Sequence, residues 1–269
     1  MPLFRVAATS DHHAPITDKR LFEQAFEIIK AHDPQVYVMV GDWLEAKRAS
    51  RHNPDSRHNW NPVDEMREVA RQVQYINDAI PNAYKVFLFG NHDANLLSYT
   101  PDHMQSGDAE TFQALWQALV EPHMTDWRVI DRYSHEQTWS LGQFTFRHGA
   151  EVSDAAYKQD LFDYCVPNGL LIQGHTHRPQ RVEQLIVGKA VTDRWGCNLG
   201  ALMDVEKAYY MDRKRKSLWG AGVFLGEVSA PGLKEGRVFS AKKNWEGDVH
   251  IICRYGQNWK SNKAFTCGV

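Results

Sequence analysis

The segment VYVMVGDWLE, residues 36–45, decides the fold of this chain of 269 residues. Its five apolar residues are mostly β-branched or aromatic, which is typical of a buried β-strand, and Gly41 ends the run. Asp42 then stands just past the carboxyl end of the strand. Open α/β sheets bind their ligands at this edge, so the segment predicts a buried strand that carries a functional carboxylate.

Four other segments repeat this arrangement of an apolar run followed by polar residues. The runs cover residues 4–8, 86–89, 144–146 and 170–172. The polar sequences that follow them are Asp11-His12-His13, Gly90-Asn91-His92-Asp93, His148-Gly149 and Gly174-His175-Thr176-His177. Eight of these residues could serve one metal site together: the carboxylates of Asp11 and Asp42, the amide of Asn91, and the imidazoles of His13, His92, His148, His175 and His177. That is the ligand set of two divalent metal ions that share one carboxylate, with one histidine to spare.

In this order the five sequences resemble the blocks D-x-H, G-D-x-x-[D/N], G-N-H-[D/E], H and G-H-x-H of the calcineurin-like metallophosphoesterase superfamily. The resemblance runs from about residue 11 to residue 177. It implies an α/β fold of two facing mixed β-sheets flanked by helices, and hydrolysis of a phosphoric ester. Apolar stripes over residues 18–31, 63–80 and 112–119 agree with such flanking helices, and Ser153 is the expected cap of a fourth helix over residues 154–162.

The resemblance also implies a role for each block. Seven residues are the implied metal ligands: Asp11, His13 and His177 for one ion, Asn91, His148 and His175 for the other, and Asp42 for both. In an extended chain residues two apart point the same way, so Asp11 and His13 share a target while His12 points away. His92 lies outside the metal ligands and protonates the leaving oxygen. Asp93 either orients His92 or caps the next helix.

The donor atoms suggest which metals would bind. Mixed oxygen and nitrogen ligands suit borderline ions, so we favour manganese, with iron, zinc and nickel as alternatives. The absence of cysteine among the ligands argues against a structural zinc site. Two such ions generate a metal-activated hydroxide, which attacks phosphorus in line.

Two departures from the superfamily pattern bear on the substrate. Phosphoprotein phosphatases of the superfamily carry an arginine soon after each of the two middle blocks, which grips a phosphomonoester dianion. Here Arg48 follows the second block in a different register, and the third block continues Asp93-Ala94-Asn95-Leu96. A phosphodiester carries less charge, so we favour a phosphodiesterase or nuclease. The alternatives are a phosphomonoesterase or protein phosphatase and, less favoured because every position is filled, a non-catalytic binding scaffold.

The other departure is Glu45, at a position where the superfamily more often has Asp or Asn. Its longer side chain either reaches a partner behind the metal ligands or pairs with a surface lysine. Just beyond it, residues 47–62 are basic and contain aromatic residues. We predict that Arg48, Arg51 and Arg57 bind a phosphodiester substrate, because cations beside an aromatic residue are what a phosphate backbone and a stacked base require. A solvated loop is the alternative reading of this stretch.

Composition limits the remaining possibilities. The formal net charge of −2 implies no global attraction to nucleic acid or membrane. Four scattered cysteines favour free thiols in a reducing compartment. The first residues lack the apolar stretch of a signal peptide, and no run is long enough to span a membrane, so we expect a cytoplasmic protein. Residues 1–269 are expected to form a single domain whose C-terminal part, from about residue 180, is rich in strands.

Overall fold

The computed structural model describes residues 3–46, 61–97, 106–186, 193–208, 218–229, 232–243, 249–255 and 265–266. Strands and helices alternate in the first part of the chain, and strands dominate the last part. In chain order the elements are β1 (Leu3–Thr9), α1 (Lys19–His32), β2 (Val36–Val40), α2 (Pro62–Ala79), β3 (Tyr84–Leu88), α3 (Asn91–Leu97), α4 (Ser106–Leu119), β4 (Trp127–Ile130), β5 (Trp139–Leu141), β6 (Phe144–Arg147), α5 (Asp154–Tyr164), β7 (Leu170–Gln173), β8 (Gln180–Ile186), β9 (Asp193–Asn198), β10 (Ala221–Ser229), β11 (Gly232–Lys243), β12 (Val249–Tyr255) and β13 (Phe265–Thr266).

The strands form two mixed sheets. The first has the order β13-β12-β11-β10-β1-β2-β3-β4, and the second has the order β5-β6-β7-β9-β8. Strands β1 to β4 run parallel, whereas β10 pairs antiparallel with β1 and leads into an antiparallel extension. In the second sheet β6, β7 and β9 are parallel. The late strands therefore complete both sheets instead of forming a third.

Alternation along the central strands sorts their side chains into layers. Val38 of β2 faces the second sheet and shares one apolar cluster with Phe146 of β6 and Ile172 of β7. Tyr37 faces the opposite side, where α1, α2 and α4 supply another cluster. Helix α5 covers the outer face of the second sheet at Leu171. The predicted fold class, two facing mixed sheets flanked by helices, is confirmed.

Helices α1, α2 and α5 begin and end close to the predicted positions, whereas α4 begins at Ser106, before the predicted residues 112–119. Asp18 caps α1 by accepting hydrogen bonds from Arg20 N and Leu21 N. Asn61 caps α2, whose first residue is Pro62, as is common at that position. Ser153 caps α5 as predicted, with its side chain accepting from Ala156 N.

Several elements were not predicted. Helix α3 is short, and its sequence carries the third block instead of an apolar stripe. Strands β4 and β5 have only four and three residues, too few for alternation to identify them. Strand β11 has twelve residues and pairs with both β10 and β12, in the C-terminal part that was predicted only as rich in strands.

Two further expectations concern the cysteines and the membrane. Cys165 and Cys197 are buried free thiols, as predicted. None of the helices within the described ranges is long and apolar enough to cross a membrane.

Candidate metal centre

Five strand ends bring the polar blocks together. Strands β1, β2 and β3 of the first sheet and β6 and β7 of the second all point their carboxyl ends at one place, as expected for parallel strands. Two groups of side chains there have ligand atoms within 4.8 Å of one another, and Asp42 belongs to both. The groups are Asp11, His13, Asp42 and His177, and Asp42, His148 and His175.

Main-chain hydrogen bonds join the first two blocks to each other. Beyond the strands, Asp11 N donates to Gly41 O at 3.0 Å and His13 N donates to Asp42 O at 3.1 Å. Glu45 N donates to Ala14 O at 2.9 Å. The parallel pairing of β1 and β2 thus continues through the loops, which fixes the carboxylates of the two blocks relative to each other.

Backbone conformation also singles out the site. Five of the proposed ligands adopt left-handed φ values between 50° and 70°, namely Asp11, His13, Asp42, His175 and His177. Such values are uncommon for residues with a side chain, and they concentrate at functional sites. Gly90 shows how closely the loops approach, because a Cβ there would collide with the carboxylate of Asp42. The strain supports a functional role for these loops.

We call Asp11, His13 and His177 the Asp11 half of the cluster. His177 Nε2 lies 3.2 Å from Asp11 Oδ1, and His13 Nε2 lies 3.7 Å from the same oxygen. The two Nε2 atoms are only 3.0 Å apart. Two imidazole nitrogens and a carboxylate converging on one point suit a borderline divalent cation.

We call Asn91, His148 and His175 the His148 half. His148 Nε2 lies 3.0 Å from Asp42 Oδ2 and 3.2 Å from Asn91 Oδ1. Its other ring nitrogen, Nδ1, lies 2.8 Å from the carbonyl oxygen of Val40. The main chain therefore makes Nδ1 the protonated nitrogen and turns Nε2 toward the ligands.

Burial and mutual contact shift the proton affinities of these groups. Burial alone would raise the pKa of Asp11, but its contacts with His13 and His177 hold that pKa well below its usual value. Burial would lower the pKa of His148, yet the carboxylate of Asp42 raises it to about 9. Burial and the positive charge of His148 lower the pKa of His175 to about 4. A cation bound in the His148 half would have to displace a proton from His148.

His92 lies beside the cluster. Its ring is perpendicular to that of His13, with 4.9 Å between the centroids. His92 N donates to Asp42 Oδ1 at 2.9 Å, and His92 Nδ1 lies 2.5 Å from the carbonyl oxygen of Glu45. The protein thus holds His92 through its own backbone and one ring nitrogen.

The structure corrects the orienting role considered for Asp93. Its buried carboxylate accepts hydrogen bonds from Asp42 N, Trp43 N, Leu44 N and Gly90 N, at 2.7 to 3.0 Å. The bond from Gly90, just before α3, is the capping alternative. The ring nitrogen of His92 contacts Glu45 instead, because the carboxylate of Asp93 is taken up by the second block. Asp93 therefore fixes the loop that carries Asp42.

Sequence reasoning missed a buried polar network behind the site. His12 points away from the ligands, as predicted, and its ring nitrogens lie 2.8 Å from Thr9 Oγ1 and 3.0 Å from Gln72 Oε1. Gln72 also accepts from Trp43 Nε1 at 2.8 Å. The sequence signal was a glutamine inside the apolar stripe of α2, a position normally filled by a core residue.

The predicted substrate-binding residues Arg48, Arg51 and Arg57 lie outside the residues that the structure describes. Glu45, whose partner the sequence left open, is fully buried, and its Oε2 lies 2.7 Å from His13 Nδ1. The choice between a buried partner and a surface lysine is thereby resolved in favour of the buried partner.

Known proteins resemble this chain in sequence and in fold. A model of the calcineurin-like phosphoesterase family matches residues 4–179, which is more than half of the chain. The chain belongs to the calcineurin-like phosphoesterase family. Among solved structures, the crystal structure of Vps29 from Chaetomium thermophilum is similar, with 10% sequence identity and a TM-score of 0.49 over 99% of this chain and 98% of that one. No curated protein sequence is significantly similar to the chain.

Proposed function

We propose that the chain is a phosphodiesterase that uses two divalent metal ions and acts on DNA, RNA or nucleotides. Its family supports hydrolysis of a phosphoric ester. The observation that carries the proposal is the cluster itself, in which two groups of ligand atoms share the carboxylate of Asp42. Manganese is the favoured metal because the donors are oxygen and nitrogen, and iron, zinc and nickel are the alternatives.

Different residues of the chain would bind the metal ions and donate the proton during hydrolysis. When bound, two divalent cations lower the pKa of a water molecule and hold the non-bridging oxygens of the phosphoryl group. The ligands would be Asp11, His13, Asp42, Asn91, His148, His175 and His177. His92 would give a proton to the leaving oxygen as the phosphorus–oxygen bond breaks. Since a carbonyl oxygen only accepts, the contact with Glu45 makes Nδ1 the donor to the protein and leaves Nε2 for the substrate.

Charge supports a diester over a monoester. A phosphomonoester dianion needs more compensating positive charge than a diester. The third block is followed by Ala94 where phosphoprotein phosphatases of the superfamily place an arginine. The basic residues 47–62 follow directly after the Asp42 block and suit a polyanion. We therefore place a nucleic acid or nucleotide ahead of a phosphopeptide.

A substrate panel tests the proposal. Metal-stripped protein is reloaded with Mn²⁺ and assayed against a nitrophenyl diester, a nitrophenyl monoester, DNA, RNA and a phosphopeptide. We expect the diesters to be turned over faster than both monoesters. Faster turnover of the phosphopeptide would favour a protein phosphatase, and no turnover of any ester with any of the four metals would favour a binding scaffold.

A charge-neutralised variant tests the nucleic-acid part of the proposal. Replacing Arg48, Arg51 and Arg57 with glutamine should weaken DNA or RNA binding and flatten its salt dependence. Binding releases counterions from each phosphate that a cation neutralises, so a protein with fewer phosphate contacts releases fewer of them. Turnover of the nitrophenyl diester should not change. Replacing Arg20, Lys30 and Arg67, which are exposed residues of α1 and α2, removes the same charge elsewhere and is the matched control. Equal effects of the two variants would contradict a specific role for residues 47–62.

A further inference from the structure

We propose that Glu45 is a positioning residue with two separate functions, an inference that rests on the proposed function. Its carboxylate sets the orientation and tautomer of His13, a proposed metal ligand. Its main-chain carbonyl sets those of His92, the proposed proton donor. One residue thus links the metal ligands to the proton donor without contacting the substrate.

The carboxylate lies behind His13. Glu45 Oε2 is 2.7 Å from His13 Nδ1, and both side chains are fully buried. The other ring nitrogen, Nε2, faces the Asp11 half, 3.0 Å from His177 Nε2. The pair stands at ion-pair distance, although its angle lies outside that of a regular hydrogen bond. A carboxylate that faces Nδ1 favours a proton on that nitrogen and leaves a lone pair on Nε2 for a cation, which increases the basicity of the ligand.

The carbonyl lies behind His92. His92 Nδ1 is 2.5 Å from Glu45 O, an oxygen that can only accept a hydrogen bond. This contact fixes the ring whatever side chain stands at position 45. The two functions of Glu45 therefore respond differently to substitution, because only the contact with His13 depends on the side chain.

The backbone around Glu45 is held on several sides, so it can orient both histidines. Glu45 N donates to Ala14 O at 2.9 Å, which places the residue beside His13. Leu44 N donates to Asp93 Oδ1 at 3.0 Å, and Ala46 N donates to Glu65 Oε1 at 2.7 Å. Residues on both sides of Glu45 are thus tied to buried carboxylates.

The length of the side chain matters. Aspartate, which is commoner at this position in the superfamily, is shorter by one carbon–carbon bond of about 1.5 Å. From the same backbone its carboxylate would fall short of His13 Nδ1. Glutamine keeps the length and a neutral acceptor. The proposal therefore ranks Glu45→Asp as more damaging to the contact with His13 than Glu45→Gln.

One competing role is that of a direct ligand. His13, Glu45 and His92 have potential ligand atoms within 4.8 Å of one another. In that case Glu45 would itself bind a cation. Substitution of Glu45 would then lower the number of metal ions bound, whereas a positioning role predicts that two ions still bind and that one of them binds more weakly.

The experiment measures metal binding without substrate. Co²⁺ and Mn²⁺ binding to metal-stripped wild type, Glu45→Gln and Glu45→Asp is followed by titration calorimetry and, for Co²⁺, by visible absorption. We expect two ions in every protein, with the affinity for one of them reduced by about 10- to 100-fold in Glu45→Asp and by less in Glu45→Gln. Glu121→Gln, which changes an exposed glutamate of a short 3₁₀ helix, should keep the wild-type affinities.

Several outcomes would overturn the proposal. Unchanged affinities and an unchanged Co²⁺ spectrum in both variants would show that the carboxylate does not position His13. Three ions in wild type and two in the variants would make Glu45 a ligand. If neither variant folds, nitrogen NMR of His13 in the wild type decides, because a proton on Nε2 instead of Nδ1 contradicts the contact.

A second readout separates the two functions of Glu45. Any turnover that remains in Glu45→Asp should depend on the leaving group as in wild type, since the carbonyl still holds His92. If Glu45→Asp loses both metal affinity and the dependence of rate on the leaving group, the side chain of Glu45 also controls His92. If no ester is turned over by the wild type, the proposed function fails while the binding experiment still tests the role of Glu45 toward His13.

Discussion

The two halves of the cluster differ in what supports their histidines. In the Asp11 half, His13 Nδ1 faces the carboxylate of Glu45 at 2.7 Å. In the His148 half, His148 Nδ1 faces the carbonyl oxygen of Val40 at 2.8 Å. The halves also differ in exposure, because Asp11 and His13 are fully buried whereas Asn91 and His175 are half-buried.

This difference in the groups behind the histidines shows how two similar ligand sets acquire different properties. Both arrangements fix the tautomer of a histidine, but a carboxylate also makes the ring a stronger base. We therefore expect the Asp11 half to bind its ion more tightly. Asn91 and His175 of the His148 half are half-buried although His148 itself is buried, so we expect a substrate to reach this side first.

The largest effect should come from the residue that both halves share. Asp42→Asn removes the negative charge that both groups of ligand atoms have in common. We expect it to bind fewer than two ions and to lose turnover by more than the roughly 10⁴-fold that a lost proton donor can cost. Elemental analysis of the purified variant, together with diester turnover, measures both.

His148→Ala changes a proposed ligand of the His148 half only, and it is compared with Asp42→Asn, which changes the residue shared by both halves. It should lose the ion of the His148 half and retain the ion of the Asp11 half. Two tightly held ions and near-normal turnover in Asp42→Asn would show that Asp42 does not bridge. Loss of both ions in His148→Ala would show that the halves do not differ in the way their supports suggest.

His92→Ala should have the next largest effect, on rate and not on metal content. His92 contacts the cluster through its backbone and its ring lies beside His13, outside the proposed ligands. We expect the rate to fall by about 10²- to 10⁴-fold with both ions retained. The loss should shrink for nitrophenyl esters, whose leaving groups need little protonation.

A series of diesters with leaving groups of different pKa measures this dependence. His123→Ala, at an exposed histidine of a short 3₁₀ helix, controls for the loss of an imidazole. An equal loss of rate across the series would exclude proton donation by His92. Loss of an ion would instead place His92 among the ligands of the Asp11 half.

The sequence predicted the fold class and the meeting of the five blocks because both depend on local patterns. Buried parallel strands are continuous apolar runs, such as residues 36–40, and their carboxyl ends share an edge of the sheet. The cap at Ser153 was predictable for the same reason, since its partner is three residues away.

The contacts that connect distant segments were not predictable in this way. The sequence predicts that Asp93 either orients His92 or caps the next helix, and only the structure shows that it also binds the backbone of the second block. Gln72 and Glu65 lie on the buried face of α2, and only the packing of that helix against the loops shows what they contact. Positions 48, 51 and 57 remain predictions from composition alone.

The smallest effect should come from the outermost support of the Asp11 half, and it should appear in stability. Glu65 is fully buried, and its Oε1 accepts from Ala46 N, next to Glu45. Burial raises the pKa of Glu65 to about 8, from an ordinary value of 4.5. Between these pH values the folded protein keeps a proton that the unfolded chain has lost. The free energy of unfolding of the wild type should therefore fall as the pH rises through this window.

Glu65→Gln removes that dependence while preserving the size of the side chain and an acceptor for Ala46 N. Relative to wild type, the variant should be more stable at about pH 8 than at about pH 5, with the sign set by the raised pKa. Urea unfolding in the presence of a chelator measures the difference at the two pH values without a contribution from bound metal. If the difference between the two proteins is the same at both, Glu65 does not hold a proton in the folded state. In that case Glu65 would be charged in the folded protein, and two charged glutamates, Glu45 and Glu65, would lie behind the Asp11 half. The His148 half would still be supported by an uncharged carbonyl oxygen, so the two halves would differ more in charge than the raised pKa of Glu65 implies.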